Sequence, residues 1–411
     1  MAGSSASSIT SLYVHVPFCA RKCEYCAFFS EVTDAEKMAR YTTALVREME
    51  LVAADLKPDT VFFGGGTPSL LPIRHWEELL AAMDRLRFFG AHEWTIECNP
   101  ATVSLDKAHL WRDAGVNRLS LGVQSFNEEL LDRLGRIHSR DAVFKSFDLL
   151  RRAGFDNLNL DLMFAIPGQT LAIWRETLRD ALALGSEHLS AYEVIYEDDT
   201  PLFAQLHAGQ FDVDEDLACD MHEELVSTAV SHGLRQYEVA NFARPKKRSD
   251  GVTEYGSDDL TESQHSDPPT PHCSIPWFAC RHNINYWRGG SFYGLGPSAT
   301  SYVRGVRTKN WSNTRLYCEQ LEQGRRAIES REELAPLARA GETAAFGLRM
   351  TAGWPFQEFQ RVTRFDLRQE WAGEMKQLVE RGWARMDTER FQLTPQGLRF
   401  ADAAAREFLR P

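Results

Sequence analysis

The feature that most constrains the fold is an alternation of short apolar stretches with helical segments between residues 11 and 200. Six stretches predict strands, and in each following segment the apolar residues recur at helical spacing. The predicted strands are 11–17 (SLYVHVP), 60–63 (TVFF), 93–98 (EWTIEC), 117–122 (NRLSLG), 157–164 (NLNLDLMF) and 187–195 (EHLSAYEVI). Strands joined by helices form parallel sheets with right-handed crossovers. Six such units predict an α/β fold, a partial (β/α)6 barrel whose site lies at the carboxyl ends of the strands.

The alternation weakens after about residue 200, and a different organisation is expected there. The tail is helical and contains a turn in GWARMDTERFQLTPQG, which predicts a smaller, mainly helical, winged-helix-like C-terminal domain. Residues 246–280 are rich in Ser, Asp, Pro and Thr and predict a variable surface insert. The expected division is a disordered N-terminus (1–10), the barrel (11–245), the insert (246–280), a connecting segment (281–328) and the C-terminal domain (329–411).

Composition narrows the functional classes. The chain has 46 Lys and Arg against 58 Asp and Glu, a net charge of −12 that argues against a nucleic-acid partner. The first ten residues are small and polar, and no run of 18 apolar residues occurs, so we expect a cytoplasmic protein with at most peripheral membrane association. Thiols stay reduced there, and a disulfide framework is therefore a poor explanation of the cysteines.

Three of the 8 cysteines lie within eight positions, as Cys19, Cys23 and Cys26 in the spacing C-x3-C-x2-C. Thiolates suit zinc or iron–sulfur clusters. Structural zinc usually has four protein ligands, yet no second C-x2-C pair lies nearby and Cys98 is isolated. Three cysteines can hold three irons of a [4Fe–4S] cluster and leave the fourth open. Zinc, or no metal, remain the alternatives at this point.

Glycines and polar residues follow the predicted strands, where a barrel places its site. GGGTPS (64–69) lets the backbone approach a ligand closely, although such turns are common. Glu97 and Gln124 follow the third and fourth strands, and Arg136 and His138 lie in LGRIH. Asp161 stands inside an apolar strand, where an unpaired carboxylate costs several kcal/mol, roughly. Glu97 or His138 could instead cap a helix.

The cysteine stretch resembles the radical SAM superfamily, in which S-adenosylmethionine (SAM) chelates the open iron and is cleaved to a radical when the cluster is reduced. The missing fourth ligand would then be the cofactor. The resemblance implies that Cys19, Cys23 and Cys26 bind the cluster. It also implies a set of SAM contacts, with Tyr25 at the aromatic position of the motif: Tyr13, Tyr25, Gly65, Gly66, Thr67, Glu97, Gln124, Arg136 and Asp161. Ala27 departs from the usual Asp at its position.

Motifs along nearly the whole chain resemble the HemN/HemW branch, which contains oxygen-independent coproporphyrinogen III oxidases and HemW-type haem chaperones. They include FFGGGTPSLL, RLSLGVQSF, DLMFAIPGQT and HNINYW. The oxidases carry a further cysteine where this chain has Phe28, and a longer N-terminal arm. HNxxYW is characteristic of HemW-type proteins, in which it is implicated in haem binding. These features favour the chaperone.

The resemblance implies a haem site at HNINYW, with His282, Tyr286 and Trp287 as candidate contacts. Histidine is a common axial ligand, and aromatic rings can stack on a porphyrin. The alternative is that the aromatic side chains only pack while His282 caps a turn. The preceding insert brings His272, Cys273 and Cys280 near His282, as further ligands or as incidental residues of a variable loop.

The leading interpretation is therefore a haem chaperone that holds a [4Fe–4S] cluster and SAM and delivers haem to a haem-accepting protein such as a respiratory cytochrome. A homodimer is among the expected assemblies. The second interpretation is a coproporphyrinogen III oxidase that decarboxylates propionates. A third, radical modification of RNA, is disfavoured by the acidic balance.

Overall fold

The computed structural model describes residues 8–32, 34–247, 253–254 and 275–410. The chain divides into two compact units, Met1–Thr228 with Ser291–Glu332, and Ala229–Gly290 with Glu333–Pro411. This division differs from the expected boundaries, because 229–245 group with the second unit and 291–328 with the first. Most of the predicted insert, with His272 and Cys273, lies outside the described residues.

The first unit is built on a parallel sheet that contains all six predicted strands. These are β1 (Ile9–Val16), β2 (Leu56–Gly65), β3 (Glu93–Cys98), β4 (Arg118–Gln124), β5 (Leu158–Phe164) and β6 (His188–Glu193). They lie in chain order, each parallel to its neighbour. A seventh strand within the described part of this unit, Tyr293–Leu295, pairs in parallel with β1 and was not predicted.

Helices follow the strands, as the alternation predicts: Ala35–Val52, Ile73–Arg85, Leu105–Asp113, Glu128–Arg133, Arg140–Arg152 and Leu171–Ala183. Most begin at a side chain that accepts a hydrogen bond from a backbone N–H of the first turn, such as Asp34 or Ser104. The first helix buries Met38, Leu45 and Val52 on one face. The predicted partial (β/α)6 barrel is thus confirmed.

The two faces of the barrel strands differ in character. Alternate residues facing one way are apolar, such as Ile96, Leu119 and Leu160. Residues of the other parity are polar, and the register aligns Glu97, Ser120, Asn159 and His188 in one row across four strands. Because successive side chains of a strand point to opposite faces, this row and the apolar row lie on opposite sides of the sheet.

Residues 291–332 complete the first unit. They contain the helix Thr314–Glu322 and most of a small sheet made of the strands Thr300–Val303, Val306–Asn310 and Ile328–Glu333, the last of which ends one residue beyond the unit. The buried carboxylate of Glu48 connects this part to the first helix: it accepts hydrogen bonds from the Gly296 N–H (2.9 Å), the Asn310 amide (2.8 Å) and the Tyr317 hydroxyl (2.7 Å). The helices Pro201–His207 and Glu215–Ser231 follow β6.

The second unit has its own core. Its helices Pro336–Gly347, Phe356–Thr363, Leu367–Glu370, Ala372–Glu380, Pro395–Arg399 and Ala401–Arg406 surround Trp354, Phe359 and Trp371. Trp354–Pro355, Ala384–Met386 and Arg390–Leu393 form a three-stranded antiparallel sheet beside them. Earlier in the chain the unit contains the short strands Arg235–Gln236, Asn241–Ala243, Lys246–Lys247 and Thr253–Glu254 and the helix Arg281–Trp287. The predicted, mainly helical C-terminal region is confirmed.

Candidate functional site

A cavity of about 460 Å³ opens at the carboxyl ends of the barrel strands. The loops and strand ends that follow β1 to β6 all contribute to its wall. All three clustered cysteines line it, together with eight of the nine predicted SAM contacts: Tyr25, Gly65, Gly66, Thr67, Glu97, Gln124, Arg136 and Asp161. The ninth, Tyr13, is not among its described lining residues.

The cysteine loop is closed by a short pair of parallel strands, Phe18–Cys19 and Glu31–Val32. The Glu31 N–H also donates to the Pro17 carbonyl (2.8 Å), and the Cys26 N–H donates to the Cys23 carbonyl (3.3 Å). Without these bonds, the loop between the two strands could adopt many conformations. These bonds hold Cys19, Cys23 and Cys26 on one wall of the cavity.

His15, which sequence reasoning missed, supports the same loop from the barrel interior. Its Nε2 donates to the Phe29 carbonyl (2.8 Å), and its Nδ1 accepts from the Tyr13 hydroxyl (3.0 Å). Burial lowers the pKa of His15 to about 4, so the ring is neutral at pH 7. Tyr13 thus contacts the loop through His15, and its role as a direct SAM contact stays a prediction. Only the strand register of a barrel would have pointed to His15.

The positively charged guanidinium of Arg136 lies beside Cys23. Its Nη1 lies 3.5 Å from the Cys23 sulfur, and its Nη2 donates to the Gly122 carbonyl (2.7 Å). Burial raises the pKa values of the Cys19 and Cys26 thiols, and Arg136 and the Thr67 hydroxyl oppose that shift at Cys19. A fixed guanidinium favours thiolate sulfur, the form that binds metals.

The glycine turn after β2 packs directly against the cysteine loop. The Gly66 and Thr67 N–H groups donate to the Val16 and Phe18 carbonyls, each at 2.8 Å. A Cβ on Gly66 would lie 2.8 Å from those same carbonyl oxygens. Gly65 has φ +103°, and a Cβ there would lie 2.4 Å from the His15 ring. Both positions therefore require glycine.

Two acidic side chains lie deeper in the cavity. Glu97 accepts from the Gly65 N–H (3.2 Å), and burial followed by the negative charge of Asp161 raises the pKa of Glu97 to about 8. Asp161 accepts from the Ser120 hydroxyl (2.7 Å) and the Asn159 amide (2.8 Å), and burial raises its pKa as well. Neither carboxyl caps a helix, the alternative considered for Glu97.

The row of polar side chains that includes Ser120, Asn159 and His188 was also not predicted from the sequence. The Arg118 guanidinium opposes the pKa shifts of both carboxyls, and His188 Nδ1 lies 2.6 Å from the Asn159 amide oxygen. Burial lowers the pKa of His188 well below its usual value. The two-residue alternation of polar and apolar residues in NLNLDL could have revealed this face, because a strand with one polar face shows such a period.

These residues fit a cubane cluster. Among the described side chains, no three of His, Cys, Asp or Glu converge on a single ion. A [4Fe–4S] cluster makes a different demand, since each cysteine binds its own iron atom. The cavity is lined by three thiols, a guanidinium beside one of them, and carboxyl and amide groups. Such groups suit the amino, carboxylate and ribose groups of SAM.

The HNINYW segment presents a contrasting arrangement. It forms the helix Arg281–Trp287, in which His282 is only 1% exposed. Its Nε2 lies 2.6 Å from the Tyr286 hydroxyl, and Trp287 packs in an apolar cluster with Tyr237 and Met350. Direct ligation of haem iron by Nε2 would require His282 to leave Tyr286, so the haem-contact hypothesis for this segment stays a prediction.

Comparison with known proteins agrees with the sequence and the fold. Residues 13–181 match the model of the radical SAM superfamily, and 334–400 that of the HemN C-terminal domain. The heme chaperone HemW of Bacillus subtilis is 31% identical over 393 residues, which cover 94% of this chain and 96% of that protein. HemW of Escherichia coli is 30% identical over 411 residues, covering 97% and 98%.

A vertebrate relative and a solved structure extend the comparison. The mitochondrial radical S-adenosyl methionine domain-containing protein 1 of Danio rerio is 30% identical, covering 85% of this chain and 75% of that protein. The coproporphyrinogen III oxidase HemN of Escherichia coli, a radical SAM enzyme, superposes with a TM-score of 0.78 at 22% identity, covering 98% and 90% of the two chains, which shows a shared fold. With HemW relatives matched over nearly their whole length, the chain belongs to the HemW family of the radical SAM superfamily.

Proposed function

We propose that the protein is a haem chaperone. It carries a [4Fe–4S] cluster on Cys19, Cys23 and Cys26, binds SAM at the open iron, and delivers haem to an acceptor such as a respiratory cytochrome. The observation that carries this proposal is that these three cysteines share one cavity with eight side chains and glycines suited to SAM, in a chain about 30% identical to HemW chaperones over nearly its whole length.

The cavity wall divides into two working parts. Gly65, Gly66 and Thr67 line the cavity, with the Thr67 hydroxyl beside Cys19, and would meet the amino-acid end of SAM. Glu97, Gln124 and Asp161 would accept hydrogen bonds from its ammonium and ribose hydroxyls. The cluster, when bound, supplies one-electron reduction of SAM; the residues of this chain bind, orient and shield the two groups.

A cytoplasmic location is part of this proposal. Thiolate ligands must stay reduced until the cluster is inserted, and the cytoplasm maintains that state. Within the described residues, no helix combines the length and the apolar character needed to cross a membrane.

Phe28 supports the choice of a chaperone over an oxidase. The oxidases of the HemN/HemW branch carry a cysteine at this position, whereas here an aromatic side chain lines the cavity and is 69% exposed. A chain without that cysteine is expected to lack coproporphyrinogen III oxidase activity.

The test is an anaerobic haem titration of cluster-reconstituted protein, followed by absorbance, and then by transfer of the bound haem to an apo-haem protein. We expect saturable binding and transfer, with no turnover of coproporphyrinogen III. The matched control is the same chain reconstituted without iron. Absence of saturable binding, or turnover of coproporphyrinogen III, would overturn the proposal.

A further inference from the structure

The carboxylate of Asp161 reaches the cavity from β5, and both of its oxygens already accept a hydrogen bond. Oδ2 accepts from the Ser120 hydroxyl (2.7 Å), and Oδ1 accepts from the side-chain amide of Asn159 (2.8 Å). The same amide also donates to the Ser120 hydroxyl oxygen (2.7 Å). Bonds to two different oxygens fix the plane of the carboxylate, which a single bond would leave free to rotate. Each oxygen keeps a further lone pair for a ligand.

The orientation of the Asn159 amide follows from its neighbours. An ionised carboxylate can only accept hydrogen bonds, so the NH2 group of the amide must face Asp161. The amide oxygen then faces away from Asp161, where it accepts from the Ser190 hydroxyl (3.2 Å) and lies 2.6 Å from His188 Nδ1. Because an amide oxygen cannot donate, His188 must carry a proton on Nδ1. Burial lowers the pKa of His188 well below its usual value, so the ring is neutral and holds this one proton.

The strand register brings these side chains together. Asn159 lies directly opposite Ser120 on β4 and His188 on β6. Asp161 follows Asn159 by two positions, and residues two apart on a strand point to the same face. Three neighbouring strands therefore build one continuous series of hydrogen bonds, which runs from His188 through Asn159 to Asp161.

Only the end of this series reaches the cavity. Asp161 lines it, whereas Asn159 is 1% exposed, His188 is fully buried, and neither is among its described lining residues. Any influence of His188 on a ligand must therefore pass through Asn159 and Asp161. Burial of polar groups costs stability unless they are paired, and an apolar barrel interior would have been the simpler packing. The series therefore points to the carboxylate at its end.

We propose that His188 and Asn159 are positioning residues for SAM, which act through Asp161. The Nδ1–H of His188 orients the Asn159 amide, and the amide orients the carboxylate, so Asp161 is already ordered when SAM arrives. Ordering a mobile side chain on binding would lower the affinity, because its conformational entropy is lost at that moment. The inference rests on the proposed function and adds to its SAM site two residues that the ligand does not touch.

The first test replaces His188 in cluster-reconstituted protein and measures SAM affinity by calorimetric titration. His188→Leu removes the Nδ1 donor, so the Asn159 amide can turn over and present its oxygen to Asp161. We expect SAM to bind about 3- to 10-fold more weakly, the effect of losing roughly one hydrogen bond. His188→Asn places an N–H on Cγ, where Nδ1 stands in histidine, and should bind SAM within about twofold of the wild type.

These two substitutions separate positioning from packing. Leucine fills a buried apolar space better than asparagine, so a purely structural role would make His188→Asn the more damaged protein. The positioning role predicts the opposite order for SAM affinity, whatever the order of the thermal midpoints. His75→Leu, at a site 3% exposed and not among the cavity's described lining, is the matched control and should bind SAM like the wild type. Iron and sulfide per chain should be unchanged in every variant.

A double-mutant cycle with Asp161→Asn tests the path. If His188 acts through Asp161, His188→Leu should cause no further loss of SAM affinity in the Asp161→Asn background, since members of one network are not additive. Should His188→Leu fail to fold, Ser190→Ala takes its place, because it removes the other donor to the Asn159 oxygen. Ser190→Ala should weaken SAM binding about 2- to 3-fold in the wild type and not in the Asp161→Asn background.

Three results would overturn the inference: additive losses in the cycle, weaker SAM binding by His188→Asn than by His188→Leu, or unchanged SAM affinity in both His188→Leu and Ser190→Ala. The wild type separates the inference from the proposed function. A wild type that carries the cluster but binds no SAM contradicts the proposed function itself. A wild type that binds SAM, with variants that bind it equally well, shows that only the positioning role is wrong.

Discussion

The cysteine loop and the HNINYW helix differ in how their polar groups are satisfied. In the first, thiols, a guanidinium and two carboxyls face one cavity, and burial shifts the pKa of several of them. In the second, the ring of His282 is enclosed and contacts the Tyr286 hydroxyl, four positions along the same helix. Both stretches contain metal-binding residue types; the first lines a cavity, whereas His282 in the second is enclosed.

The difference teaches that residue type gives less information than the environment in which the fold places it. Perturbed pKa values in a cleft are typical of binding and catalytic sites, because a folded chain otherwise avoids burying charge. In His282, by contrast, the ring nitrogen Nε2 already contacts a hydroxyl within the same helix. The predictions below test whether this contrast holds.

The largest effect is expected from Cys23→Ser. Loss of one of three thiolates removes a cluster ligand, and Arg136 loses the sulfur that lies 3.5 Å from its Nη1. Iron and acid-labile sulfide per chain should fall to near background after anaerobic reconstitution. Cys318→Ser, in a buried position that does not line the cavity, is the control and should reconstitute fully. A Cys23→Ser protein with normal cluster content would refute the assigned ligands.

Glu97→Gln is expected to reduce strongly the loss of stability that the wild type shows as pH rises. The folded protein raises the pKa of Glu97 from 4.5 to about 8. Between these values the unfolded chain releases a proton that the folded chain retains, so the free energy of unfolding falls as pH increases. At about 1.4 kcal/mol per pKa unit, the loss across this window amounts to several kcal/mol. Gln cannot ionise and can still accept from the Gly65 N–H.

The measurement is the thermal midpoint of the protein without SAM from pH 5 to pH 9. The wild type should lose more stability than Glu97→Gln over this range, and the variant should be the more stable of the two at pH 9. Glu176→Gln, whose side chain is 66% exposed, should follow the wild type. Parallel curves for Glu97→Gln and the wild type would show that this carboxyl does not titrate in the window.

A smaller and more specific effect is expected from Asp161→Asn. Hydrogen bonds to a charged acceptor contribute about 1.5–3 kcal/mol, and their loss should weaken SAM binding roughly 10- to 100-fold. Cluster content should not change, since Asp161 is not a cluster ligand. Calorimetric titration with SAM measures the effect, with Asp148→Asn, 67% exposed, as the control. Unaltered SAM affinity would place the cofactor elsewhere in the cavity.

Much of this architecture could be predicted because each barrel strand has a strong local pattern. EWTIEC coincides with Glu93–Cys98, and the strand predicted at 157–164 is found at Leu158–Phe164. The strand predicted at 60–63 begins earlier in the structure, at Leu56. Its start could not be predicted because Pro58 and Asp59 are residue types typical of loops. Tyr293–Leu295 was missed since three residues are too short to show a period.

The residues of the site likewise fall into those that could be predicted from the sequence and those that could not. The cysteines and most SAM contacts could be predicted because each follows a strand end, and parallel strands bring their carboxyl ends to one edge. His15 and Arg118 could not, because their roles depend on a partner 14 or more positions away. His15 acts through the carbonyl of Phe29, and backbone carbonyls leave no trace in a sequence.

The smallest effect on haem binding is expected from His282→Ala, which tests the contrast directly. The substitution leaves a cavity in the second unit and removes the contact of the Tyr286 hydroxyl with Nε2, so the free energy of unfolding should fall by about 1–3 kcal/mol. Tyr286→Phe keeps the ring, is the matched companion, and should cost less. If the enclosed helix does not open, both variants should bind haem within about threefold of the wild type, with an unchanged absorbance spectrum, because Tyr286 already engages His282 Nε2 in the wild type. A lost or shifted haem spectrum in His282→Ala, with a normal spectrum in Tyr286→Phe, would mean that the helix opens to ligate iron and that its enclosed state is only one of two.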